Sequence, residues 1–483
     1  MRDSSILLLT PPYQWLKVQY PSVGIAYLAA NLTQFNIRHN IMELSLYQDW
    51  QNVLEPHLKK YEFIGISATT SEMSAVGLLV DYIKENAPET IIVLGGVHAT
   101  SWAKEVLEKF DNIDFCIRGE GEKSLIDLVC HKDKTKINGL CYRDKGKIIC
   151  SEVTMLQDLD VYPVPDYDKF DWSKYHHQTN WARTVYIITS RGCPFTCTYC
   201  SRGIGKIFRP RSPSNVVSEI VHMKGRYRVQ KFLIADDNFS LDIQRAKEIC
   251  RLLIDKKINI TWSAGGGLRV DRVDDELFNL MKSSGCVALS LGIESASNKI
   301  LEEYNKKISV DKIKKAVGMA KNNGITQVHG VFLIGAPSDT REDIFRQLEF
   351  AKDLNLDYAF WSNIIPYPDT EIWEWIDKNN YWIVDSPFEA IQKGTFTKYS
   401  VIYETPLLSA EEKNILIKNI EIEWAVWRGT HGKLFYRIRY LIRKNSLVYF
   451  YAKKFKVFYE MIINLIRDLK YYLNARLSTK NSK

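Results

Sequence analysis

Along the first 130 residues, short apolar runs alternate with segments of helical spacing. Ile6–Leu9, His39–Met42, Phe63–Ser67, Ile91–Leu94 and Asp114–Ile117 predict buried parallel strands. Val23–Leu32 and Ser71–Glu85 predict helices between them. Five such strand–helix units predict an α/β fold with a doubly wound open sheet. On that architecture ligands bind beyond the carboxyl ends of the strands. Those ends carry Thr10-Pro11-Pro12, Ser67-Ala68-Thr69-Thr70, Gly95-Gly96-Val97-His98 and Arg118-Gly119-Glu120-Gly121-Glu122. Each is small or polar, so a large ligand has room to approach the backbone.

A connector follows, with a hairpin centred on Gly146 (Leu140–Tyr142 and Ile148–Cys150) and a proline-rich stretch from Tyr162 to Asp166. A second series then begins. Val185–Thr189, Lys231–Ala235, Ile258–Ser263, Val287–Ile293, Gln327–Ile334 and Tyr358–Ile364 predict six strands, with helices such as Leu241–Lys256 and Thr340–Leu354 between them. Thr340 and Asp343 stand at capping-box spacing. Six consecutive units predict a partial (β/α)6 barrel with its site at the strand C-termini. Leu407–Arg428 predicts a further helix, and Phe435–Leu477 is basic and aromatic with helical spacing. The expected division is 1–135, a linker 136–180, a barrel 181–385 and a helical C-terminal region 386–483.

Composition refines this only locally. The chain has 483 residues, 46% hydrophobic and 25% charged, which excludes global disorder and a small disulfide-stapled fold. Formal net charge is +8. Residues 431–483 hold 13 Lys and Arg against Glu460 and Asp468, a net of +11, and residues 1–430 hold 52 basic against 55 acidic residues, a net of −3. The basic surplus therefore belongs to the tail. The Ile6–Leu9 run is too short for a signal-peptide core, and no apolar run reaches the roughly 18 residues of a spanning helix. The expectation is a reducing cytoplasm, where clustered cysteines serve metals or catalysis rather than disulfides.

Of nine cysteines, three are clustered, in Arg191-Gly-Cys193-Pro-Phe-Thr-Cys197-Thr-Tyr-Cys200. Three thiolates within eight residues suit a 4Fe-4S cluster and leave one iron open for a small molecule. The competing reading, structural zinc, usually shows two paired motifs, and a distant fourth ligand would have to complete it. The CxxxCxxC spacing after a first barrel strand, with an aromatic before the third cysteine, resembles the signature of the radical S-adenosylmethionine superfamily. The resemblance implies that Cys193, Cys197 and Cys200 hold the cluster, which reductively cleaves S-adenosylmethionine to a 5′-deoxyadenosyl radical. Later strand ends carry further family-like segments: Ala235-Asp236-Asp237-Asn-Phe239, Trp262-Ser263 with Arg269, Leu291-Gly-Ile-Glu294-Ser295, Gly330–Pro337 and Asn363–Thr370. By resemblance they hold S-adenosylmethionine, with Tyr199 and Ile334 near adenine, Glu294 near ribose and Asp236/Asp237 near the methionine amine. Alone, an Asp-Asp after a strand is equally a helix cap or a solvated loop. One departure is Asp369, where many relatives have glycine.

A doubly wound domain before such a barrel resembles the cobalamin-binding branch of the superfamily. The resemblance places Pro11, Pro12, Ser67, Thr69, Gly95, Gly96, His98, Gly119 and Glu120 against cobalamin. The G-x-G-x-x-G dinucleotide fingerprint is absent after the first strand. Some cobalamin proteins ligate cobalt from a D-x-H-x-x-G loop, but the matching stretch here, Glu43-Leu-Ser-Leu-Tyr-Gln48, has no histidine. Cobalamin is therefore expected without a protein histidine beneath it, and His98 is expected at the corrin rim or a neighbouring carbonyl.

Together the two cofactors imply methylation of an unactivated carbon, through methylcobalamin, on a small-molecule or lipid-like substrate. Oxidative cyclisation without methyl transfer, as in the anaerobic magnesium-protoporphyrin monomethyl ester cyclase family, is the alternative. A non-enzymatic cobalamin sensor would need neither an open iron nor S-adenosylmethionine contacts. A flavodoxin- or ferredoxin-like reductant is implied. The tail reads as a packed helical appendage, as a peripheral membrane contact or as a nucleic-acid contact, the last disfavoured by the acidic body.

Overall fold

The computed structural model describes residues 4–12, 20–175, 183–201, 203, 205–392 and 401–431. The basic aromatic tail lies outside the described residues, as does the membrane or nucleic-acid contact expected of it. The first sheet contains β1 (Ser5–Thr10), β2 (Arg38–Glu43), β3 (Phe63–Ser67), β4 (Ile91–Gly95), β5 (Phe115–Ile117), β6 (Leu140–Asp144) and β7 (Lys147–Cys150). Their order is β2-β1-β3-β4-β5-β6-β7, parallel through β5. The chain reverses direction across the sheet between β1 and β3, which opens a crevice at their carboxyl ends. β1 and β3 are buried on both faces, which is why they read as continuous apolar runs. Ile6 and Leu8 pack on one side of the sheet and Leu7 and Leu9 on the other. Each such side chain contributes about 1.5–3 kcal/mol on burial.

The hairpin expected in the connector instead extends this sheet, because β6 pairs antiparallel with β5. Its register also sets Cys141 opposite Cys150. These two form a disulfide, with Cα atoms 4.1 Å apart. The cysteines of the trio are free.

The second sheet has six parallel strands: β8 (Arg183–Ile187), β11 (Val229–Ile234), β12 (Thr261–Leu268), β13 (Cys286–Glu294), β14 (Gln327–Ile334) and β15 (Tyr358–Asn363). They run in chain order from β8 to β15, an open half-barrel. A two-residue antiparallel pair, β9 (Ser190–Arg191) and β10 (Arg209–Pro210), brackets the cysteine loop. The outer face is sealed by helices such as Pro213–Tyr227 and Ile243–Asp255. The capping box before Arg341–Asp353 is formed as predicted, with Thr340 Oγ1 accepting from the Asp343 N–H at 3.1 Å. The helix Ala410–His431 closes the described chain and packs on β15 and the helix Arg341–Asp353. Among the described residues, no helix is long and apolar enough to cross a membrane.

Candidate active site

The carboxyl ends of the two sheets face each other across a cleft of about 1130 Å³, counted to its open mouth. The first helix, Val23–Gln34, supplies a floor through Gly24, Ile25 and Leu28. Ser67, Gly95, Gly96, Gly119 and Glu120 line the cleft from the first sheet, and Ile188, Ser190, Arg191, Ala235 and Asp237 from the barrel. Among the described residues, no histidine lines it. Four residues expected here lie elsewhere. Pro11 and Pro12 are buried where β1 ends. Thr69 is occupied in a capping box, its N–H donating to Glu72 at 2.7 Å. His98 starts the helix Val97–Lys109 and is fully buried, its ring stacked on Trp102 and Phe388 and its Nδ1 3.4 Å from Thr70 Oγ1. A corrin contact by His98 is therefore corrected to a packing role.

Two predictions arise here. Gly96 has φ +96°, and a Cβ there would stand 2.5 Å from the Ala68 carbonyl oxygen. Gly96→Ala is expected to cost about 1–3 kcal/mol, read as a lowered Tm; an unchanged Tm would contradict it. Burial lowers the His98 pKa to about 4. A depressed folded-state pKa means the stability is present above the ordinary value near 6.5 and is lost as pH falls toward about 4. We expect up to about 3 kcal/mol of acid sensitivity from this ring, removed in His98→Phe and read from denaturant unfolding between those pH values.

The cysteine trio follows β9. Gly192 reaches φ +81°, and a Cβ there would meet the Ile207 carbonyl oxygen at 2.2 Å, so the loop requires glycine before Cys193. The Cys193 N–H donates to Gly205 O at 3.2 Å, and the Thr198 N–H to Tyr304 O at 3.1 Å. Burial pushes the Cys200 thiol up to about 12, reinforced by the Cys197 and Cys193 thiolates. Burial likewise raises Cys193, with Asp237 and Cys197 adding to it. Ionisation of one sulfur thus disfavours ionisation of its neighbours, and a bound cation would offset that repulsion. Among the described residues, no three His, Cys, Asp or Glu side chains converge on a single metal ion. A cubane places no such demand, because it takes each thiolate on a different iron.

Behind the loop, Glu294 ends β13 with φ +62°, a left-handed conformation in a buried non-glycine residue. Lys306 Nζ donates to Glu294 Oε1 at 2.7 Å and lies 3.3 Å from the Tyr199 hydroxyl. Burial works against the Lys306 ammonium, but Glu294 and the Cys197 thiolate outweigh it and raise its pKa. Gly292 makes room, since a Cβ would fall 2.7 Å from Glu294 Oε1 and 3.0 Å from Lys306 Nζ.

The remaining expected residues divide. Asp237 is exposed to the cleft, and its Oδ2 accepts from the Gly192 N–H at 3.1 Å. Asp236 instead turns inward, taking hydrogen bonds from the Thr189 N–H at 2.6 Å, from the Ser190 hydroxyl at 2.6 Å and from the Thr189 hydroxyl. It organises the end of β8 and does not face a ligand. Arg269 lies 3.5 Å over the Phe195 ring and donates to Lys306 O at 2.6 Å, so it clamps the cysteine loop. The Ile334 side chain is fully buried in the core beneath the sheet. Ser263 is half-buried on the open face of β12.

Sequence reasoning missed Arg191 and Lys306. Arg191 pairs with Glu120 at 2.8 Å and Glu122 at 2.5 Å, and Arg209 joins Glu120 at 2.9 Å. Burial disfavours the Glu120 carboxylate, yet Arg209 and Arg191 hold its pKa below the ordinary range. One ionic cluster thus ties the Gly119–Glu122 turn to the strand that leads into Cys193. The only signal in the sequence was that Arg191 stands two residues before the trio.

Comparison with known proteins agrees with this geometry. The radical SAM superfamily model matches residues 187–351, and the B12 binding domain model matches residues 16–129. The chain is 32% identical over 397 residues to an uncharacterized methyltransferase of Pyrococcus horikoshii, covering 79% of this chain and 84% of that protein. It is 30% identical over 327 residues to the anaerobic magnesium-protoporphyrin IX monomethyl ester cyclase of Rubrivivax gelatinosus, covering 65% of this chain and 58% of that protein. In fold it matches the radical S-adenosylmethionine methyltransferase TsrM of Kitasatospora setae, solved with cobalamin and a 4Fe-4S cluster, with TM-score 0.73 at 16% identity over 86% of this chain and 91% of that one. The chain belongs to the radical SAM superfamily, in the branch that carries a B12-binding domain ahead of the barrel.

Proposed function

We propose that the enzyme methylates an unactivated carbon of a small-molecule substrate presented at the junction of the cleft and the barrel. The observation that carries this reading is Asp237, which lines the large cleft and is hydrogen-bonded to Gly192, next to the first cysteine. The two cofactor sites therefore open onto one space. When bound, the cluster and S-adenosylmethionine supply a hydrogen-abstracting radical and cobalamin supplies the methyl group.

The protein's part is holding and orienting. Cys193, Cys197 and Cys200 hold the cluster by three thiolates and leave one iron for S-adenosylmethionine. Glu294 suits ribose hydroxyls as an acceptor, with Lys306 fixing its carboxylate, and Tyr199 closes that side against Tyr304 at 5.1 Å. Asp237 offers a carboxylate to the methionine ammonium. Ser67, Gly95, Gly96 and Gly119 let the corrin approach backbone, over an apolar floor that excludes water. The electron comes from a flavodoxin- or ferredoxin-like donor.

The test is anaerobic incubation of reconstituted enzyme with a small-molecule extract and S-adenosylmethionine labelled at its methyl carbon. Label in a new product supports methyl transfer. An unlabelled product that has lost hydrogen identifies oxidative cyclisation instead, the reading favoured by the 30% identity to the cyclase.

A further inference from the structure

In most parallel sheets both faces are covered. Here the outer face of the half-barrel is buried, while its inner face stays half-open along every strand. The register fixes which residues share that face. Tyr186 pairs with Leu233, and Leu233 with Ser263. On the other flank His329 pairs with Tyr358, and Val331 with Phe360. Tyr186 is 37% exposed and Phe360 46% exposed, high values for aromatic rings inside a barrel. Between these flanks the face narrows to Ser263, Ala288, Ser290 and Gly292, which leaves space rather than filling it.

This face is continuous with the cofactor cleft. Side chains two apart on a strand share a face. Ile188 and Ser190 continue the line from Tyr186, Ala235 and Asp237 continue it from Leu233, and these four line the cleft. The opposite end is reached at His329, four residues before Leu333, or about 13 Å down the strand. His329 rests edge-on against Tyr358 at 5.0 Å and Phe360 at 5.9 Å. Burial lowers its pKa to about 4, so the ring is uncharged near neutrality. Among the described residues, the bases at this face are Lys306, which reaches Gly292 and is committed to Glu294 at 2.7 Å, and Lys231, at the far end of β11. A phosphorylated or carboxylated substrate would call for paired Arg or Lys side chains along the face.

We infer that the inner barrel face, from Tyr186 and Leu233 across to Val331 and Phe360, binds the substrate as an elongated, uncharged, apolar carbon skeleton with its reacting end toward the cleft. This rests on the methyl-transfer reading for the word substrate, but its test does not. Full-length protein is titrated with N-phenyl-1-naphthylamine, an uncharged apolar fluorophore, and then challenged with uridine diphosphate. The expected result is saturable binding, weakened at least tenfold in Phe360→Glu, retained in Phe360→Leu and in the surface control Leu78→Glu, and untouched by the nucleotide. Leu233→Ser replaces Phe360→Glu if the latter does not fold. Equal affinity in wild type and the inner-face variant, or displacement by uridine diphosphate, overturns the inference. Saturable probe binding with this variant pattern in a protein that transfers no methyl group would uphold this inference and remove the proposed function, so the two failures are distinguishable.

Discussion

Arg191→Met is expected to destabilise the protein by about 3–5 kcal/mol and to release bound cobalamin on gel filtration. The guanidinium is 8% exposed and stands between Glu120 and Glu122, themselves 8% and 7% exposed. Its removal leaves Glu122 without that cation in a buried place, and Glu120 keeps Arg209 alone. An unpaired buried carboxylate costs more than the pair contributed, because desolvation is no longer offset. The arginine also lies over the Tyr27 and Tyr162 rings, at 5.6 and 5.1 Å. Lysine lacks the planar fork needed to meet two carboxylates and two rings together, so Arg191→Lys is expected to recover little. Since Glu120 lines the cleft and Arg191 leads into Cys193, one substitution should loosen both cofactor sites. Wild-type Tm and cobalamin content in Arg191→Met would contradict this.

Lys306→Met is expected to weaken S-adenosylmethionine binding by about tenfold to a hundredfold, or about 1.4–2.8 kcal/mol. Glu294 and Lys306 are 8% and 9% exposed and joined at 2.7 Å. Glu294 also holds a left-handed backbone that only its surroundings enforce. Without the ammonium, the carboxylate lacks the partner that aims it, and the Cys197 thiolate loses a nearby positive charge. The check is equilibrium dialysis of S-adenosylmethionine on reconstituted protein, together with the reduction midpoint of the cluster, which should fall. Lys306→Arg should keep most of the affinity. Unchanged affinity and midpoint in Lys306→Met would refute the role.

Much of this molecule was legible from periodicity. Strand β3 over Phe63–Ser67 coincides with its apolar run, because buried parallel strands carry uninterrupted hydrophobic sequence, and strand β14 over Gln327–Ile334 follows from its alternation of buried and half-buried positions. The hairpin β6–β7 was visible as a hairpin, yet its docking on β5 was not, since pairing between distant strands leaves no local mark. The same holds for the Cys141–Cys150 disulfide, which depends on register. Glycine positions such as Gly95 and Gly96 pointed to the cleft, because close backbone approach demands residues without a Cβ. His98 misled, because a histidine at a helix start looks functional until its ring is found packed on Trp102 and Phe388. Asp236 and Asp237 are adjacent in sequence, but alternation at the strand end sends one inward and the other into the cleft. Asp369 adopts φ +62°, so the aspartate tolerates the left-handed turn in which glycine was the expected residue. Lys306 was invisible because its partner lies twelve residues earlier on another element.

The central claim is that one chain uses S-adenosylmethionine both as a radical source and as a methyl donor through cobalamin. The most direct measurement is anaerobic reconstitution of the full-length protein with iron, sulfide and cobalamin, followed by incubation with a strong reductant and S-adenosylmethionine. 5′-Deoxyadenosine and S-adenosylhomocysteine are then quantified together, in wild type and in Cys197→Ala. The account predicts both products from wild type, 5′-deoxyadenosine abolished in Cys197→Ala, and S-adenosylhomocysteine only when cobalamin is supplied. 5′-Deoxyadenosine undiminished in Cys197→Ala, or no cobalamin-dependent S-adenosylhomocysteine from wild type, would contradict it.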